Sequence, residues 1–288
     1  MDYVTLNTGA KMPIEGFGVF QIPNAKECEE VTYQAIKTGY RLIDTAAAYG
    51  NEEAVGRAIR RAIADGLVTR EELFVVSKLW VQDMKNEETA ARGIETSLKK
   101  LDIGYLDLYL EHQAMGDFFA AWRAMENAYR AGKLKAIGVA NFYPFMLANF
   151  CATVNVTPAV NQIELHPFYQ KEADLAYMRE KGIQPMAWGP LDEGKHGIFT
   201  HPVLTKIGQK YGKTAAQVAL RWNIERSVIV IPKSVHKERM EQNIDLFDFK
   251  LTKDDMAEIA KLDLGHTEII DHFDPKVQEM CLGVKIEA

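Results

Sequence analysis

Short apolar runs recur along the chain at intervals that a helix could fill. They are GFGVF at 16–20, RLIDT at 41–45, LFVVSK at 73–78, YLDLYL at 105–110, KAIGVAN at 135–141, AVNQIE at 159–164, IQPMAW at 183–188 and VIVIPK at 228–233. Each has the length of a strand and is bounded by turn or helix-like sequence. Most intervals between them carry helical periodicity. In one, Ile94, Leu98 and Leu101 recur at helical spacing, with Asn86 as a cap ahead of Glu87-Glu88. In another, Asn51 precedes EEAVGRAIRRAI, again a capped start with acids in the first turn.

Strands alternating with helices imply parallel pairing through right-handed crossovers. Eight such units in 288 residues predict an α/β fold of the closed (β/α)8 TIM-barrel type rather than an open doubly wound sheet. VTLNTGAKMP, with Thr-Gly at its centre, predicts an N-terminal β-hairpin before the first barrel strand. Segments 235–246 and 253–263 predict two extra C-terminal helices. No Pro/Ser-rich linker interrupts the pattern, so residues 1–288 read as one domain.

Composition narrows the function. With 47% apolar and 26% charged residues the chain is of ordinary globular type, and its net charge of -6 comes without any dense Lys/Arg run. Nucleic-acid binding is therefore not expected, although a single basic pocket for an anionic small molecule is still compatible. Cys28, Cys151 and Cys281 are scattered and form no CxxC pair, which points to a reducing compartment and to packing roles for the thiols. The N-terminus lacks a basic segment with an apolar run behind it, and no apolar run reaches the ~18 residues of a membrane span. A cytoplasmic protein without membrane partners is expected, as a monomer or weak homo-oligomer.

In a barrel of this kind, reactive side chains gather at the C-terminal ends of the strands. Asp44 and Tyr49 follow the second predicted barrel strand, Lys78 ends the third and His112 follows the fourth. Singly, each has a structural explanation: an acid that caps a turn, a phenol that packs, a lysine or imidazole that serves the framework. Together they lie on three neighbouring strands and converge. Tyrosine ordinarily titrates near 10, too high for a proton donor poised at neutrality. An ammonium ~4 Å away, at an effective dielectric of ~20, favours the tyrosinate by ~4 kcal/mol, up to about three pKa units before desolvation opposes it. Asp44 can keep Lys78 charged and aimed, and His112 can donate to a substrate oxygen. The set reads as a general-acid site for a carbonyl.

At this point the chain resembles the aldo-keto reductases. The likeness rests on GFGVF, LIDTAAAYGNE, VVSKLW, LDLYLEH, KLKAIGVANF, NQIELHP, MAWGPL and IPKS followed by RMEQN, in that order along nearly the whole chain. The resemblance implies that Asp44, Tyr49, Lys78 and His112 are the catalytic tetrad, with Tyr49 the acid in carbonyl reduction. It implies NADPH as cofactor: Asn141 and Gln162 at the nicotinamide carboxamide, Trp188 stacked on the ring, Gly189 and Leu191 along the pyrophosphate. Lys233, Ser234 and Arg239 would surround the 2′-phosphate, with Val235 beside them, and Gln242 and Asn243 would lie near the adenine. Gly18, Val19 and Phe20 would border the cofactor beside Asp44, and Phe20, Trp80 and Trp188 would wall a pocket for a small carbonyl substrate shared with Tyr49 and His112. The short loops resemble those of bacterial members acting on keto-sugar acids and small dicarbonyls. Four positions depart from the usual pattern: Ala140 where Ser is common, Gln242 where Glu is frequent, Gln113-Ala114 after the histidine, and Glu111 before it, expected to point between strand and helix.

Other readings fare less well. Gly16 and Gly18 form a GxG, but Gln21 breaks the dinucleotide fingerprint of an open sheet, so these glycines more plausibly serve close packing or cofactor approach. A metal-dependent barrel hydrolase would place His or carboxylate ligands at strand ends. The seven histidines are dispersed with no HxH, His166 reads as structural, and His196 and His201 as solvated loop residues, so no metal is expected. A barrel that binds nucleotide only to sense redox state would not need the tetrad.

Overall fold

A computed structural model describes residues 2–267 and 269–286. Strands β1 (Tyr3–Thr5) and β2 (Lys11–Pro13) pair antiparallel as the predicted hairpin. Asn7 beside its turn donates to the Pro158 carbonyl at 3.0 Å, just ahead of the eighth-strand region, so the hairpin lies across the N-terminal end of the sheet. The eight predicted barrel strands all form: β3 (Phe17–Gly18), β4 (Leu42–Asp44), β5 (Phe74–Leu79), β6 (Leu108–Glu111), β7 (Ile137–Ala140), β8 (Val160–Glu164), β9 (Gln184–Trp188) and β10 (Ile229–Val230).

They pair in sequence order from β3 to β10, parallel throughout. The sheet then closes on itself. The Gly16 amide donates to Val230 O at 2.8 Å, Val230 N to Ile14 O at 3.0 Å, and Gly18 N to Pro232 O at 3.2 Å. Both glycines are packing positions: a Cβ on Gly16 would sit 2.4 Å from Leu42 Cγ, and one on Gly18 would sit 3.0 Å from Ile231 O. Gly16 makes room for Leu42 of β4, and Gly18 lets β3 approach the chain after β10 closely at the seam.

Helices α1 (Ala25–Thr38), α2 (Glu52–Ala64), α3 (Glu87–Leu101), α4 (Phe118–Arg130), α5 (Pro144–Thr153) and α6 (Glu172–Glu180) cover the sheet in turn. The crossover from β9 to β10 carries two, α7 (Pro202–Tyr211) and α8 (Ala215–Glu225). The two expected C-terminal helices are α9 (Lys237–Ile244) and α10 (Lys253–Ala260). A further one, α11 (Pro275–Gly283), lies in what reads from sequence as a loop tail. Asn86 caps α3 as expected, accepting from Thr89 N at 2.9 Å within a reciprocal capping box.

Asn51 does not cap α2 with its side chain. The amide is buried and turned inward: it donates to Val19 O at 3.0 Å and accepts from the Thr45 hydroxyl at 2.7 Å. It thus ties the end of β3 to the turn after β4. That turn carries Tyr49.

Candidate active site

The groups expected at the strand ends do meet at the C-terminal mouth of the barrel. Asp44 is the last residue of β4 and Lys78 the penultimate residue of β5. Lys78 is fully buried, and its ammonium has three hydrogens and three acceptors: Asp44 Oδ1 at 2.6 Å, Thr45 O at 2.9 Å and the Tyr49 hydroxyl at 3.3 Å. Gln162, reaching across from β8, donates to the second Asp44 oxygen at 3.1 Å. Tyr49 ends a single 3₁₀ turn, Ala47–Tyr49, that closes on Gly50 in the left-handed region (φ 66°). His112 follows β6, its backbone bonded to Leu79 O at 3.1 Å. Its ring lies 5.6 Å from that of Tyr49 and 5.2 Å from that of Trp80, and its Nδ1 is buried with no partner.

Electrostatics separate the four groups. Burial raises the Asp44 carboxyl above its usual range, while Lys78 and Gln162 work against the rise. Burial also opposes the charge on Lys78, but Asp44 and Tyr49 overcome it and leave the ammonium above its ordinary pKa. For Tyr49 the expectation from sequence was a phenol drawn toward tyrosinate. The structure corrects the direction: burial outweighs the pull of Lys78, with Asp44 adding to it, so the phenol stands above its ordinary pKa. At rest it holds its proton, which suits an acid. His112 is pushed well below 6.5 by burial first and by Lys78 and His272 next, so it is a neutral imidazole.

The positions expected to hold a nucleotide line the same rim. Trp188 ends β9 half-buried, and its indole N–H donates to Asn141 Oδ1 at 2.8 Å. Asn141 follows β7 in the left-handed region (φ 63°), and its amide also donates to His112 O and Gln113 Oε1, both at 3.2 Å. Asparagine tolerates that backbone conformation better than most residues. Ala140 pairs in register with Gln162, directly beneath this cluster. Gly189 (φ 58°) and the half-buried Leu191 continue from Trp188, while Gly18, Val19 and Phe20 approach from the other side of the seam. Phe20 is 49% exposed and its ring lies 4.9 Å from that of Tyr49.

Beyond β10, buried Ser234 accepts from His236 N at 3.1 Å, and Val235 is half-buried. Arg239 lies in the opening turn of α9, as expected. Lys237 pairs with Glu241 at 3.1 Å, whereas Lys233 and Arg239 are exposed and, among the described residues, pair with no carboxylate. Two unpaired cations beside a helix start suit an anion. Gln242 is exposed, while Asn243 is buried on the inner face of α9. The half-buried Trp188 face, the amides of Asn141 and Gln162 and this basic corner together fit a dinucleotide.

Three features were not legible from sequence. Residues 269–286 fold back as a strap over the mouth. Trp80 Nε1 donates to Val284 O at 3.2 Å, and the Gln82 side chain pairs with the backbone of Ile286 through bonds of 3.1 and 2.9 Å. The strap also brings in His272, which faces Tyr143 and Trp188. Asp274-Pro275 is a helix-start signature that could have revealed α11, and the Asp274 side chain accepts from Lys276 N at 2.9 Å.

His166, His196 and His201 lie away from this cluster. Buried His166 lies 3.0 Å from Glu164 and 3.4 Å from Asp192, as a framework residue should. His196 is exposed as expected, and its ring also lies 2.5 Å from Asp192, whereas the solvated reading of His201 needs correction: it is half-buried against Phe168 and its Nδ1 is buried with no partner. Glu111 is fully buried with both oxygens unpartnered, and burial raises it well above the carboxylate range, so it is a neutral acid. Among the described residues, no group of three or more His, Cys, Asp or Glu is arranged to hold a metal ion, and no helix is long and apolar enough to cross a membrane.

Comparison with known proteins accounts for this arrangement. Residues 16–264 match the model of the aldo/keto reductase family. The glyoxal reductase of Bacillus subtilis is 44% identical over 91% of this chain and 92% of its own. The methylglyoxal reductase DkgA of Escherichia coli is 43% identical over 91% of this chain and 94% of its own. The solved structure of a Bombyx mori aldo-keto reductase in complex with NADP superposes with a TM-score of 0.89 at 38% identity, covering 95% of this chain and 96% of that one. The chain, a (β/α)8 barrel with the tetrad at its mouth, belongs to the aldo/keto reductase family of oxidoreductases.

Proposed function

We propose that this protein reduces small aldehydes and ketones to alcohols with NADPH, Tyr49 being the proton donor. The observation that carries the reading is the buried Lys78 ammonium, whose three hydrogens are placed on Asp44, Thr45 O and the Tyr49 hydroxyl. Nothing in a purely binding barrel calls for a buried charge aimed at a phenol.

NADPH, when bound, would supply the hydride for the carbonyl carbon. Asn141 and Gln162 would hold its carboxamide and Trp188 its ring; the Asn141–Trp188 bond fixes the plane on which it rests. The neutral His112 orients the carbonyl oxygen toward Tyr49. As negative charge develops on that oxygen, Tyr49 releases its proton, and the ammonium of Lys78 stabilises the tyrosinate left behind. Asp44 keeps Lys78 charged throughout. This is a preorganised electrostatic site: charge appears where a countercharge already sits. Phe20, Trp80 and Trp188 wall the space above it, and Phe20 and Trp80 carry rings against Tyr49 and His112.

The whole chain is read as one domain, and its unpaired cysteines suit the reducing cytoplasm. Following NADPH absorbance against aldehydes, keto-acids and dicarbonyls tests the activity. Turnover without added metal supports it. Tight NADPH binding with no turnover on any carbonyl would replace it with a redox sensor, and activity lost to a chelator and restored by Zn²⁺ with a hydrolase. Preference for NADPH over NADH is assigned to Arg239, whose planar fork can pair with the 2′-phosphate. Arg239→Ala should weaken NADPH by ~1.5–3 kcal/mol while NADH Kd stays almost unchanged. Equal losses for both cofactors would remove Arg239 from that role.

A further inference from the structure

Adjacent residues of a strand point to opposite faces, so the side chain before Lys78 leaves the barrel wall on the helix side. That residue, Ser77, is fully buried, and its hydroxyl donates to Glu52 Oε1 at 2.5 Å. Glu52 is the first residue of α2, three places after Tyr49, and is buried as well. Ser97 of α3 stands within hydrogen-bonding reach of the same carboxyl, and its hydroxyl lies 2.9 Å from that of Tyr109 on β6. Behind the wall, Glu52, Ser77, Ser97 and Tyr109 thus join the Tyr49 turn, the strand of Lys78 and the strand that leads to His112.

An acid at a helix start is ordinary, and the exposed Glu53 is one. Glu52 is turned inward instead. Burial raises its carboxyl above the usual range, and the hydroxyls of Ser77 and Ser97, with Lys100 and Lys78, work against the rise. The turn that carries Tyr49 is pinned at two points. Asn51 holds it to Val19 O and to the Thr45 hydroxyl, and Glu52 holds it to β5. Only the second pin is on the strand that carries Lys78. The ammonium is fixed by Asp44 at 2.6 Å and Thr45 O at 2.9 Å, and its bond to the phenol, at 3.3 Å, is the longest of the three. Where the turn places the phenol therefore sets that separation.

We propose that Glu52 is a positioning residue for Tyr49: through its bond to Ser77 it holds the phenol at the distance at which Lys78 stabilises the tyrosinate. The titratable groups around the phenol are Lys78, Asp44 and His112, and of these Lys78 alone draws it toward the charged form. That attraction weakens with separation, so an outward shift of ~1 Å makes the proton harder to release. This inference rests on the reductase reading above.

The test compares Ser77→Ala, Glu52→Leu and Glu52→Gln on the small aldehyde that the wild-type enzyme reduces fastest, and on oxidation of its alcohol by NADP+, in which Tyr49 accepts the proton. In Ser77→Ala and Glu52→Leu, kcat for reduction should fall about tenfold with NADPH Kd held. The rise of the oxidation rate with pH should move to higher pH, because a phenol farther from the ammonium loses its proton later. Glu52→Gln, whose amide oxygen still accepts from Ser77, should recover most of the rate and the wild-type pH profile. A lowered melting temperature with unchanged kcat and pH profile would make the pair a packing contact and overturn the proposal. So would a Glu52→Gln variant as slow as Glu52→Leu, since the cause would then be charge and not the bond. Ser77→Ala answers the question if Glu52→Leu does not fold. A wild-type enzyme that reduces no aldehyde or ketone with NADPH would overturn the reductase reading itself.

Discussion

Lys78 hangs from a six-residue strand, β5, paired on both sides, whereas His272 hangs from a strap held by a few side-chain bonds. Both lie at the C-terminal mouth of the barrel. Lys78 cannot move without breaking three hydrogen bonds and baring a buried charge, a cost of several kcal/mol. The strap is kept in place by the Trp80–Val284 contact, the Gln82–Ile286 pair and buried Cys281. It carries no strand of the sheet, so it can open without breaking the barrel. The proposed proton chemistry thus sits on a strand paired on both sides, and the strap over it hangs on a few side-chain bonds.

The largest test of that division is Tyr49→Phe, which leaves the ring against Phe20 and removes only the transferable proton. We expect kcat to fall by ~10²–10⁴-fold, with NADPH affinity nearly unchanged. Single-turnover NADPH oxidation and a fluorescence titration would measure both, and a variant keeping more than a few per cent of turnover would move the acid to His112.

Lys78→Met should come next. Loss of the ammonium leaves Asp44 buried without a countercharge, so melting temperature and kcat should fall together, the stability loss being ~3–5 kcal/mol. If thermal denaturation showed the loss but kcat held while KM rose, Lys78 would serve the framework and not the chemistry.

The strap should answer differently. Gln82→Ala removes two bonds to the Ile286 backbone, and we expect KM for carbonyl substrates to rise up to about tenfold with kcat little changed. Faster proteolytic trimming of the C-terminal segment in the variant would confirm that the strap, not the barrel, had loosened. A fall in kcat matching that of the tetrad variants would erase the distinction.

The smallest expected change is a gain. Ala140 lies beside Gln162 at the place expected for the nicotinamide carboxamide, and Ala140→Ser should tighten NADPH by ~0.5–1.5 kcal/mol. Calorimetric titration showing no gain would mean that a neighbouring group already satisfies that amide.

Much of this was written in the sequence, for reasons that differ between regions. Barrel strands such as LFVVSK are buried on both faces and read as continuous apolar runs, and every one of the eight appears where its run predicted. The meeting of Asp44, Tyr49, Lys78 and His112 was legible because each lies at or a few residues past a strand end, and strand ends are easy to find. What failed was whatever depends on distance in space. Asn51 looked like a helix cap, since local rules favour it there, but a contact to Val19 from another strand took its amide. The direction of the Tyr49 shift turned on how far its hydroxyl is desolvated, which no spacing reveals. The strap has no apolar period to announce it: His272 and Val284 matter through partners at Tyr143 and Trp80, far away along the chain.

The seam between β3 and β10 has a consequence for the birth of the protein. The free edge of β3 finds its partner only in the backbone of Val230 and Pro232. A chain emerging N-terminus first must therefore carry an open, growing parallel sheet through most of its synthesis, with an edge that β10 has yet to cover. Long-range parallel pairing of this kind forms slowly, and unpaired strand edges invite association with neighbouring chains. On the ribosome, the vulnerable interval ends when the last strand arrives and the ring is joined.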